Sequence, residues 1–132
     1  MWRVATASDD ETIVTMCVTL NAEDPGPKPV EPQQVRRTLA KLRDEPNRGH
    51  AVVFDVEGRA VGYALLISFW SNELGGEVCN IDELFVIPDY RGHGLATSLF
   101  DRLANAKPTL WPIRPAALEP SSTTITSIRE RV

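Results

Sequence analysis

Residues 82–100 read DELFVIPDYRGHGLATSLF, and no other stretch limits the possible folds so much. Its first third alternates as a strand does. Its last third leads into apolar residues at helical spacing, with Leu95, Leu99 and Leu103 on one stripe flanked by Ala96 and Phe100. Between the two stands Arg91-Gly92-His93-Gly94. A helix N-terminus leaves backbone N–H groups unpaired and carries partial positive charge. Such an end accepts a phosphate readily. Glycine lets the backbone approach closely, because no Cβ stands in the way. Here Gly92, His93, Gly94, Leu95 and Ala96 offer successive N–H groups, and Arg91 can add a charge-assisted contact. The spacing is neither the G-x-x-x-x-G-K-S/T loop of nucleotide triphosphate sites nor the G-x-G-x-x-G dinucleotide fingerprint. A strand-to-helix turn that merely uses two glycines is the plain alternative.

The rest of the chain narrows the setting. Its 132 residues suit one domain, 1–132, able to bury roughly two thirds of its unfolded surface. Apolar residues at 42% and charged residues at 24% are close to the globular average, which argues against disorder and fibrous classes. A net charge of −4 without a basic block argues against nucleic acid as a partner. The longest apolar run, 63–70, is broken by Ser68 and is too short for a bilayer, so no membrane partner is expected. Met1 is followed by no apolar signal region, which makes the expected location cytoplasmic. Cys17 and Cys79 have no neighbour at metal-ligand spacing, and only His50 and His93 exist as partners for a catalytic thiol. They read as reduced, buried small side chains, with no metal.

WRVA opens the chain as a short strand. Ser8 stands three residues before Glu11, a capping-box spacing, and Ile13, Met16, Cys17 and Leu20 predict a helix over 9–21. AEDPGPKPVEP, residues 22–32, is a proline-rich loop whose Pro32 suits the first turn of a second helix carrying Val35, Leu39 and Leu42. AVVFDV and AVGYALLISFW flank EGR, which predicts a hairpin with Gly58 in its turn. SNELGG is another turn, and a strand follows over about 78–87. Lys107-Pro108 ends the helix after the glycines. Beyond it prolines leave only AALE as a strand, and SSTTITSIRERV predicts a terminal helix. The expected class is mixed α/β (α+β), a central, mostly antiparallel sheet flanked by helices.

R-G-H-G-L-A matches the Q/R-x-x-G-x-G/A signature of the GNAT family of N-acetyltransferases, and the resemblance extends further. IDELFVIPDYRGHGLATSLFDRLA is similar to that family's fourth strand, pyrophosphate loop and third helix in order. The upstream strand, two helices and three-strand meander are similar too, so the resemblance covers about 1–107. It implies the GNAT-like acyl-CoA N-acyltransferase fold, a mixed sheet splayed into a V with acetyl-CoA in the split. It implies that backbone groups of Leu84, Phe85 and Val86 pair with the pantetheine arm and polarise the thioester carbonyl. It also implies that Arg91, Gly92, His93, Gly94, Leu95, Ala96 and Thr97 hold the pyrophosphate. The family's fourth helix commonly carries a tyrosine that protonates the leaving thiolate. Alignment puts Arg129 there, and arginine, always protonated, would act only electrostatically. The glycine and aromatic that usually follow that helix are missing, as are the last two strands. The domain therefore reads as C-terminally shortened, or as one whose sheet is closed by a partner in a homodimer.

Acetyl transfer needs a neutral amine, a polarised carbonyl and a stabilised thiolate. A carboxylate near the end of the fourth strand can take the amine proton. Asp82 and Glu83 are the candidates, and they point to opposite faces unless a bulge intervenes. The matching strand of polyamine acetyltransferases carries an acidic residue at the position of Asp82, which ranks it first. Glu73 and Glu77 can line the acceptor mouth or be ordinary loop charges. Trp70, with Phe69, can stack on substrate, although core packing is the preferred reading. Tyr90 can pack on the cofactor, His93 reads as solvated, and His50 reads as a cap or surface residue. The leading expectation is acetyl-CoA-dependent transfer to a primary amine of a small cationic molecule, directly in a ternary complex. The alternatives are a non-catalytic acyl-CoA-binding or regulatory module and, behind it, transfer to protein lysines or N-termini.

Overall fold

The computed structural model describes residues 1–104, 124–127 and 130–132, with backbone alone at 124–127. The elements run β1 (Trp2–Val4), α1 (Asp10–Glu23), α2 (Pro32–Asp44), β2 (Gly49–Val56), β3 (Arg59–Ser71), β4 (Gly76–Val86), α3 (Leu95–Ala104), β5 (Thr124–Ser127) and β6 (Glu130–Arg131). Strands β1 to β4 form an antiparallel meander in the order β1-β2-β3-β4. Strands β5 and β6 both lie parallel to β4 on its other edge.

The β2–β3 hairpin closes on Glu57 and Gly58, both at positive φ (52° and 83°), the two-residue geometry that matches strand twist. Asp55 accepts the Gly58 N–H at 2.7 Å and fixes that turn. Both faces of the central strands are covered, so they read as nearly continuous apolar runs. On one face Ile13, Cys17 and Leu20 of α1 and Val35, Leu39 and Leu42 of α2 pack on Val53, Tyr63, Leu65 and Phe85. On the other, Leu99 and Leu103 of α3 pack on Trp2, Val52, Ala64, Leu66, Ile81 and Leu84. Burying each such side chain contributes about 1.5–3 kcal/mol before chain entropy is subtracted.

Three local expectations are corrected. Helix α1 is not capped from Ser8: the chain turns earlier, where Asp9 accepts the Thr6 N–H at 2.8 Å. Asp9 wins because Arg3 grips its carboxylate through Nη1 and Nη2 at 2.8 and 3.0 Å, holding that carboxyl below its usual range. The expected terminal helix is instead β5 and β6. Thr124-Ile125-Thr126 is β-branched, which favours a pleated ladder over a helix, and the free edge of β4 supplies the partner. His50 is neither cap nor surface: it is a half-buried residue of β2 opposite Leu66, and burial lowers its pKa. The stop at Lys107-Pro108, the AALE strand and Arg129 lie outside the described residues.

Candidate active site

The strand–glycine–helix junction forms as the sequence predicts. Gly92 and Gly94 take φ of 75° and 81°, left-handed values that disfavour any side chain with a Cβ. A Cβ built at either would meet nothing within 4 Å, so the constraint is torsional and the space in front is open. A cavity of about 170 Å³ lies there, lined by Val86, Tyr90, Arg91, Gly92, Gly94, Leu95, Ala96, Thr97 and Val132. His93 is exposed and outside that lining. A helix start, two open glycines and a guanidinium at the rim fit a diphosphate.

Two anchors hold the cradle. Arg91 donates from Nε to the Val86 carbonyl and from Nη2 to Glu23 Oε2, both at 2.8 Å, and its guanidinium lies 5.2 Å from the Phe85 ring centroid. It therefore ties the end of β4 to the last turn of α1, a positioning role beyond the phosphate contact expected of it. Trp2 is the anchor that sequence reasoning missed. Its indole donates to the Leu95 carbonyl at 2.9 Å and to Ser98 Oγ at 3.1 Å, pinning the first turn of α3 against β1. The only signal was a tryptophan in the first strand, which reads equally well as core.

A bulge decides the geometry of the two acids. On the β3 side Leu65 faces Glu83 and Leu66 faces Ile81, so Asp82 is the extra residue. Ile81 and Leu84 both pack on the α3 face although three positions apart. Glu83, bonded to Tyr63, lies on the opposite side, so strict alternation breaks at Asp82 between Ile81 and Leu84. On the other edge, β5 pairs with β4 up to Ile81 and β6 begins at Leu84. Among the described residues, Asp82 and Glu83 fall in the gap.

The two acids differ in setting. Glu83 is buried, and its Oε2 accepts the Tyr63 hydroxyl at 2.7 Å and lies 3.5 Å from Cys17 Sγ. Burial first, and the charge of Glu83 second, push the Tyr63 phenol far up, so it remains a neutral donor. Asp82 is half-buried and, among the described residues, has no hydrogen bond or ion pair. Both cysteines are buried thiols outside any disulfide, as expected, and burial pushes the Cys79 thiol up to about 12.

At the far end of β4 the hairpin tip contradicts one expectation. Phe69 and Trp70 are 59% and 58% exposed, and neither packs in the core. The residues of β3 that pack in the core end at Ile67. Leu74 in the turn is exposed as well. Glu73 is exposed, whereas Glu77 sits opposite Trp70 and accepts the Ser68 hydroxyl at 2.5 Å. Among the described residues there is no group of three or more His, Cys, Asp or Glu that could hold a metal, and no helix long and apolar enough to cross a membrane.

Comparison with known proteins agrees with this geometry. The family model described as "Acetyltransferase (GNAT) family" matches residues 13–108. No curated protein sequence matches the chain significantly. A possible acetyltransferase from Clostridium difficile 630 superposes with a TM-score of 0.75 at 20% identity, over 99% of this chain and 80% of that one. A predicted acetyltransferase from Clostridium acetobutylicum, solved with acetyl-CoA, gives 0.69 at 18% identity, over 97% and 79%. A ribosomal-protein-alanine N-acetyltransferase from Brucella melitensis biovar Abortus 2308 gives 0.67 at 18% identity, over 100% and 82%. The chain belongs to the GNAT acetyltransferase family, an N-acetyltransferase drawing its acetyl group from acetyl-CoA.

Proposed function

We propose that the chain acetylates a primary amine of a small cationic molecule by direct transfer in a ternary complex. The observation that carries this reading is the bulge, which sets a half-buried Asp82 with no partner on β3 beside the buried Glu83, just ahead of Leu84, Phe85 and Val86. In this reading the cofactor arm lies along residues 84–86 and its diphosphate over 92–97. Acetyl-CoA supplies an acyl carbon activated as a thioester. Asp82, half-exposed, removes the proton from the attacking ammonium, directly or through water. Glu83, locked by Tyr63, adds negative charge that favours a cationic acceptor without itself moving. A main-chain N–H of the 84–86 strip polarises the carbonyl oxygen as nitrogen bonds to carbon. The carbon–sulfur bond then breaks, and a thiol with an ordinary pKa of about 8.5 leaves tolerably as thiolate. Trp70, opposite Glu77 and near Glu73, presents an open ring face to a cation, with Phe69 exposed on the other face of the strand.

The test is thiol release from acetyl-CoA against a panel of mono-, di- and polyamines. Asp82→Asn is expected to lower kcat by roughly 10²- to 10⁴-fold, the range for a positioned base, and Glu83→Gln by less. Equal rates for both variants and the parent would exclude these carboxylates from the chemistry. Tight coenzyme binding with no amine acetylated would favour a non-catalytic acyl-CoA-binding module.

A further inference from the structure

The strip Leu84-Phe85 already carries a strand in this structure. Glu130 lies opposite Leu84 and Arg131 opposite Phe85, parallel, on the edge that β3 leaves open. Val132 continues from there into the cradle, lining the same cavity as Gly92, Gly94 and Tyr90. All three residues of this short segment are exposed, it pairs with β4 at Leu84 and Phe85, and Arg131 Nη2 donates to the Glu23 carbonyl at a long 3.4 Å. That last turn of α1 is also where Arg91 is anchored, so strap and glycine loop share one support.

We infer that residues 130–132 form a strap that closes the cofactor edge of β4 and must leave before the coenzyme arm can pair there. The inference rests on the proposed placement of that arm along residues 84–86. A main-chain N–H or C=O facing one edge satisfies one strand at a time, so the two occupants exclude each other. A two-residue exposed strand belongs to the least stable part of a fold, which makes it releasable. The coenzyme then binds only the fraction of molecules with the strap open, and its apparent affinity falls by that fraction. Any factor that holds the strap elsewhere would activate the enzyme without touching a residue of the chemistry.

The experiment is calorimetric titration of coenzyme A into the parent protein, Arg131→Pro, Gly92→Val and a variant lacking residues 130–132. Arg131→Pro keeps the chain length and removes a donor from the strap, which covers the case in which the shortened protein fails to fold. Removing or weakening the strap is expected to tighten the dissociation constant about tenfold, as when nine molecules in ten are closed. Amide exchange at Glu130 and Arg131 should also quicken when coenzyme saturates the parent protein. Unchanged or weaker affinity in both strap variants overturns the strap alone, provided that Gly92→Val binds less than the parent. If Gly92→Val binds as the parent does, or nothing binds, the cofactor placement fails and the strap with it.

Discussion

At its C-terminal end β4 runs into the glycine loop, where the proposed function has backbone N–H groups meet the coenzyme. At its N-terminal end it leaves the β3–β4 hairpin, where Phe69, Trp70 and Glu73 offer side chains. The two ends are built under different rules. Backbone recognition needs particular φ values at particular positions, so it dictates residue type: Gly92 and Gly94 stand at 75° and 81°. Side-chain recognition needs only an exposed group of suitable chemistry, and many sequences provide one. A mutation should therefore act almost all-or-none at the loop and by degrees at the hairpin.

Gly92→Val should give the largest effect. A β-branched residue is strained at a φ of 75° by about 1–3 kcal/mol, so the loop must rearrange and misdirect its N–H groups. Coenzyme affinity should fall by roughly a hundredfold or more, since lost charge-assisted hydrogen bonds add to that strain. Because a Cβ there meets nothing within 4 Å, the fold itself should survive, with circular dichroism unchanged and a melting temperature within a few degrees. Affinity within threefold of the parent would break the contrast, leaving the loop as a turn with no ligand.

The same contrast explains what was legible in the sequence. The strand, loop and helix over 82–104 were readable because period, glycine placement and the leucine stripe agree on one answer. The α1 and α2 stripes were readable for the same reason. Asp82 and Glu83 were visible as acids, but the break in alternation at Asp82 was not, because a bulge changes strand parity without a residue type of its own. Trp2 was visible as an apolar strand residue, while its indole bonds to Leu95 and Ser98 span more than ninety positions and exist only in the folded chain. Residues 124–127 and 130–131 were misread as parts of a helix because nothing local reveals that β4 has an edge to fill. Propensity there already leaned towards strand at Thr124-Ile125-Thr126.

Between the two ends, Tyr63→Phe sharpens the comparison. It removes the phenol that Glu83 accepts at 2.7 Å and leaves a buried carboxylate without that donor. Hydrogen bonds to charged groups are worth about 1.5–3 kcal/mol, and chemical denaturation should show a loss of that order. Coenzyme affinity should hold, and kcat should fall far less than in Asp82→Asn, because the phenol touches the buried acid and not the half-exposed one. A variant as stable as the parent yet as slow as Asp82→Asn would move Tyr63 and Glu83 into the chemistry and demote Asp82.

The smallest effect belongs to Trp70→Ala at the hairpin. Trp70 is 58% exposed and outside the core, so stability should change by no more than about 0.5 kcal/mol. A cation over an exposed indole gains about 0.5–1 kcal/mol, which corresponds to a rise of roughly two- to fivefold in KM for a cationic amine. The variant should bind coenzyme A as the parent does, and a neutral acceptor of the same size should show no change in KM. Phe69→Ala on the other face of the strand serves as the internal comparison: the face whose loss raises KM is the one the amine approaches. If neither substitution alters KM, the acceptor does not use the hairpin, and the acids at the bulge must select the cation by charge alone.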